Sequence, residues 1–200
     1  MYRVSLLESR PDKDERLLEG SACVLRVMIE PVAARRTKSD AEMLADPFSW
    51  PPLMLTVGRP FLSALADDVM GAGYRCRIEP PARVAGAWSQ PKDCSEPGAV
   101  GDALAELSRD AGCRTGDCYP ITCWFLPERA YQLCDDALNA FQRSPGELAP
   151  WRRLIHAGVM RVSVTDDSCS IAMDCSLFPW TMAAVSAALR TAGLPVERAP

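Results

Sequence analysis

Apolar and polar positions along this chain repeat one pattern twice. A short apolar stretch leads into a helical period begun by proline, which stops at Ala-Gly and is followed by an alternating stretch. The first copy is Leu53–Val57, Pro60–Gly73 and Tyr74–Pro80; the second is Ser170–Cys175, Pro179–Gly193 and Leu194–Arg198. In the first helix Phe61, Leu62, Leu65, Val69 and Met70 recur at helical spacing, leaving Asp67 and Asp68 for water. Proline suits the first turn, where its missing N–H is not needed, and glycine suits the left-handed stop. After the stop, Tyr74, Cys76 and Ile78 take the inward phase of a strand and Arg75, Arg77 and Glu79 the outward phase. Repetition on this scale predicts two similar α/β units.

Around the repeats, Tyr2–Leu7 alternates as an opening strand, and charged residues 9–20 suit a turn or a short helix. Ala22–Glu30 is apolar on both phases, the pattern of a strand covered on both faces. From Pro31 to Pro52 periodicity is weak; Ser39 suits the cap of a short helix. Residues 80–101 are rich in proline, glycine and serine and mark a boundary. Val100–Ala111 then has helical spacing through Val100, Leu104 and Leu107. The remainder predicts strand 119–125, helix 127–142, a helical piece 147–157, strands 158–165 and 168–175, helix 179–192 and strand 194–198. Thr165-Asp166-Asp167-Ser168 forms the turn between the two middle strands. That order is the β-α-β-β-α-β of a ferredoxin-like unit. The fold expected is α+β: two ferredoxin-like lobes, the N-terminal one degraded, packed as one compact unit. The expected division is residues 1–82, a linker at 83–99, and residues 100–200.

Composition narrows the function. With 48% apolar and 24% charged residues the chain is of the folded class. A net charge of −4 argues against a nucleic-acid partner, which selects for a basic surface. Arginine outnumbers lysine 19 to 3, which reads as the imprint of a GC-rich bacterial genome. Arg3, Glu8 and Arg10 interrupt any apolar run near the N-terminus, and the longest uncharged stretch, Cys175–Leu189, is short and holds Pro179. A cytoplasmic location with no membrane partner is therefore expected. Nine cysteines are then most simply reduced thiols, and Cys76, Cys169 and Cys175 fall on apolar phases where a thiol packs as a small hydrophobe.

Four constellations bear on chemistry. Cys113, Cys118 and Cys123 are spaced C-x4-C-x4-C, with Cys94, Cys134 or His156 as the fourth ligand a structural zinc site would need. Cys123 lies in a strand, a poor wrap for an ion, so neither metal nor cofactor is expected. His156, the single histidine, can serve acid–base chemistry with Cys123 or Cys134, and equally suits a helix end near Gly158. The pairs Asp67-Asp68 and Asp135-Asp136 diverge by about 100° on a helix and suit solvated faces. Asp102, Glu106 and Asp110 recur every four residues and form an acidic stripe opposite the apolar side of their helix. Such repulsion costs a few tenths of a kcal/mol per pair. Residues 101–136 carry seven acidic and three basic side chains, a local −4. The stripe fits a docking surface for a basic protein partner and also fits an ordinary solvated face.

Tandem ferredoxin-like lobes invite comparison with RNA-processing endonucleases of the CRISPR type, but the glycine-rich loop and basic surface of those enzymes have no counterpart here. The profile of a small, acidic, cytosolic α/β chain of bacterial type is similar to that of immunity proteins that neutralise toxins. That resemblance implies a non-catalytic protein-binding module, a toxin inhibitor using Asp102, Glu106 and Asp110. A small-molecule enzyme built on His156 and a nearby cysteine is the alternative.

Overall fold

In a computed structural model of the chain, the residues described are 2–9, 22–31, 53–79, 91–109, 121–131, 154, 157–165, 168–194 and 196. Seven strands lie in one antiparallel sheet: β1 (Tyr2–Ser9), β2 (Ala22–Pro31), β3 (Tyr74–Glu79), β4 (Lys92–Cys94), β5 (Ile121–Pro127), β6 (Met160–Val164) and β7 (Ser168–Asp174). Their order is β1-β2-β7-β6-β5-β3-β4. The helices are a single turn α1 (Leu53–Thr56), then α2 (Arg59–Gly71), α3 (Pro97–Arg109) and α4 (Phe178–Thr191).

Strand alternation decides which side the helices cover. Ile78, Cys123, Val162, Ile171 and Leu25 face one another across five successive strands, and each is buried. Against this face pack Phe61, Leu65 and Val69 of α2, Val100 and Leu104 of α3, and Val185 and Leu189 of α4. Burial of each such side chain contributes about 1.5–3 kcal/mol, so this one core holds helices and strands together. α2 lies between α3 and α4 and packs against both. The ring of Tyr74, which opens β3, stacks on that of Trp180 in α4 with centroids 5.9 Å apart.

The helix periods are as the sequence indicates. α2 and α4 each carry proline in the first turn, and each ends before a glycine of positive φ, Gly73 at 91° and Gly193 at 68°. The expected hairpin turn is closed by Thr165 N–H donating to the Ser168 carbonyl at 2.8 Å.

Several expectations are corrected. Leu53–Thr56 is a helical turn, not a strand: Met54 is fully buried and the Gly58 N–H donates to the Leu53 carbonyl at 2.9 Å. A four-residue apolar run suits a buried turn as well as a strand, and its period cannot separate them. Lys92–Cys94, within the expected linker, is an edge strand paired with β3. Of the strand expected at 194–198 only Leu194 and Val196 are among the described residues, and Val196 forms a parallel bridge with Val4. Cys175 lies beyond β7 in a short 3-10 turn and is exposed, not packed on an apolar phase. Among the described residues β2 pairs with β7 and β3 with β5, so the strands form one continuous sheet. The expected elements at 9–20, 32–52 and 147–153, and most of 127–142, lie outside the described residues. Among the described residues no helix is long and apolar enough to cross a membrane.

Candidate functional site

The acidic stripe sits on α3, whose position is set by its apolar side: Val100, Ala103 and Leu104 are buried, and Gly101 lies beside Ser63 of α2. Asp102 is exposed on the outer side. Glu106, one turn on, accepts a hydrogen bond from Lys92 Nζ at 3.1 Å, with both side chains 46% exposed. Lys92 thus neutralises part of the stripe, while Asp102 stays exposed. Asp110 lies outside the described residues.

A second polar group was not anticipated as a site. On the sheet face away from the helices, Glu79, Thr122, Ser163, Ser170 and Arg26 form one cross-strand row, and Asp93, Arg77, Trp124, Arg161 and Ala172 form the next. Arg77, although on the phase expected to meet water, is only 7% exposed. Its guanidinium donates to both carboxylate oxygens of Asp93, at 2.7 and 3.3 Å, and lies 5.1 Å from the centre of the Tyr131 ring. That bidentate bond above all holds the Asp93 carboxyl below the usual carboxylate range. The Arg161 guanidinium lies 5.6 Å from the Trp124 ring, within reach of a cation–π attraction. Glu79 is pushed the other way: burial raises its carboxyl, against the pull of Trp124, Arg161 and Arg77. Its Oε1 is buried with no hydrogen-bond partner. Alternation in Tyr74–Glu79 placed Arg77 and Glu79 on one face; what gathers the cluster is the register with β4, β5 and β6, which one strand's sequence does not carry.

Five of the six described thiols fall into two groups, and the sixth, Cys169, is buried in β7. Cys76 stands opposite Cys94 across β3 and β4, and lies close enough to Cys123 for that thiol to raise its own. All three are buried in the main core, and the contact with Cys123 together with burial raises Cys76 well above the ordinary thiol range. Cys23 and Cys175 form the other group, at the junction of β7 and α4. Cys113, Cys118, Cys134 and His156 lie outside the described residues. Among the described residues no three histidine, cysteine, aspartate or glutamate side chains are grouped to hold a metal ion. The exposed pair Asp67 and Asp68 is a solvated helix face, as its spacing indicated.

Fold and site together define an α+β protein in which the described residues place three helices on one face of a seven-stranded antiparallel sheet and a polar cluster on the other. No known protein family matches the chain, and neither does a curated protein or a solved structure.

Proposed function

We propose that this chain is a non-catalytic protein-binding module of the bacterial cytoplasm that docks a partner with a basic surface, as an immunity protein docks its toxin. The observation carrying this reading is Asp102, which projects from α3 while Val100, Ala103 and Leu104 anchor the opposite side. Charge complementarity at such a rigid face speeds encounter and falls with salt. The partner is obtained by pull-down from the source cell and its binding measured at several salt concentrations. Asp102→Lys with Glu106→Lys should leave folding intact and weaken both the affinity and its salt dependence. Lys92→Ala, which frees Glu106, should raise the association rate. Unchanged affinity in the double variant removes α3 as the docking face.

The buried, unpartnered Oε1 of Glu79 favours a second reading, small-molecule binding on the polar sheet face. A ligand that raises the melting temperature of the wild type and not of Glu79→Gln would support it.

Duplication is the finer structural reading that goes with this scaffold. The hairpin β1–β2 is followed by α2 and β3, and the hairpin β6–β7 by α4 and the Val196 bridge. β2 pairs antiparallel with β7, as a two-fold axis between them requires. β3 runs parallel to β6 with β5 between them, just as Val196 runs parallel to β1.

A further inference from the structure

The Cys23–Cys175 pair has features that the other described thiols lack. Cys23 in β2 stands opposite Met173 of β7, and Cys175 follows two residues later, just past the end of that ladder. Cys175 lies close enough to Cys23 to push its thiol upward. The turn carrying Cys175 is fixed from within, because the Asp174 side chain accepts from the Ser176 N–H at 2.9 Å. Cys175 is exposed, the only such thiol among the described cysteines, whereas Cys23 is 9% exposed behind it. One sulfur therefore meets solvent and the second waits in contact with it, the arrangement of an attacked and a resolving thiol.

We propose that Cys23 and Cys175 form a dithiol modification site that closes to an intramolecular disulfide on reaction with a peroxide. The Cys175 sulfur attacks the peroxide O–O bond, gaining an S–O bond and releasing water, and becomes a sulfenic acid. The Cys23 sulfur then attacks the Cys175 sulfur, its proton leaving with the displaced hydroxide as a second water. Two thiols and one hydrogen peroxide become one disulfide and two waters; sulfur is oxidised and the peroxide oxygens are reduced. Burial first, and contact with Cys175 second, push the Cys23 thiol up to about 12. Glu8 and Asp174 are the charged groups that add to this rise. Cys76 and Cys123, although in thiol contact, are 1% and 4% exposed and lack an entry point for the oxidant.

The test treats the full-length, fully reduced protein with hydrogen peroxide in slight excess, quenches it by alkylation, and maps peptides under non-reducing conditions. The expected result is a loss of about 2 Da in intact mass, one linked peptide pair containing Cys23 and Cys175, and full reversal by a reductant. Cys23→Ser should instead leave Cys175 as a sulfenic acid captured by a 1,3-dione probe. A disulfide that joins either cysteine to Cys113, Cys118, Cys134 or any other partner overturns the proposal. So does Cys175 oxidised without a link to Cys23, or a protein recovered with every thiol alkylated. The wild-type map decides the matter even where the variant does not fold.

Discussion

Three glycines within sixteen residues should respond to the same Gly→Ala substitution with different signs. Gly58 precedes α2 with φ −81° and ψ −12°, a conformation alanine accepts. By backbone entropy alone the change would stabilise by about 0.4–1 kcal/mol. A Cβ at Gly58, however, would lie 2.5 Å from Met54 Sδ and 2.7 Å from the Met54 carbonyl oxygen, with Ile29 Cδ1 at 3.0 Å. The carbonyl belongs to the α1 turn and cannot swing aside as a side chain would, so α1 must move away from α2. Overpacking of this kind costs about 1–3 kcal/mol, which outweighs the entropy gain. At Gly71 the added Cβ meets nothing within 4 Å, and the last turn of α2 should gain about 0.4–1 kcal/mol. At Gly73 there is also open space, but φ is +91°, and a left-handed alanine costs about 1–2 kcal/mol. For a chain of this length each kcal/mol moves the melting temperature by about 2–4 °C. Urea and thermal unfolding of the three variants should therefore rank Gly71→Ala above wild type and both others below it. A Gly58→Ala protein as stable as Gly71→Ala would refute the close approach of α1 to the start of α2.

Two carboxylates predict opposite pH dependences. Asp93 is held below its usual range, so its contribution is present above the unfolded value, near 3.9, and is lost as pH falls through the folded value; with a side chain 51% exposed, screening limits it to about 1 kcal/mol. Asp93→Asn should flatten the acid limb of stability between about pH 2 and 5, measured by urea unfolding. Glu79 is raised, so the native state holds its proton more tightly, and the cost of ionising it appears as pH rises from the unfolded value through the folded one. Glu79→Gln should then gain stability at neutral pH and lose that slope; a loss at pH 7 would show that its attraction to Arg77 and Arg161 outweighs its burial.

The legible part of this fold is the part that local pattern determines. The proline start, the apolar stripe and the glycine stop fix α2 and α4 within a residue or two, and alternation assigns Cys76 and Ile78 to the core. Pairing is decided elsewhere. That β3 lies beside β5, and β2 beside β7, depends on contacts between residues far apart in sequence. The Arg77–Asp93 bond was invisible for this reason: Asp93 read as linker, and only the edge strand β4 brings it to β3. The acidic stripe was legible as spacing, whereas its partial neutralisation by Lys92 depends on the same edge strand.

The two repeats also show how a neighbour rewrites a helix. Phe61, Leu65 and Val69 of α2 correspond, 120 positions on (181 minus 61), to Thr181, Val185 and Leu189 of α4, and all six are buried. The next stripe differs. In α2 it is Leu62, Ala66 and Met70, all buried; in α4 it is Met182, Ser186 and Arg190, partly or fully exposed. The cause is α3, which packs on that side of α2 near Ser63, whereas the main helix contact of α4 is with α2. Equivalent positions should therefore differ in tolerance. Ala66→Ser buries a hydroxyl at a fully buried site and should cost about 1–3 kcal/mol. Ser186→Ala removes a half-exposed hydroxyl from a helix and should change stability by no more than about 0.5 kcal/mol, toward greater stability. Urea unfolding measures both; equal and small effects would mean that α3 does not seal the second stripe of α2.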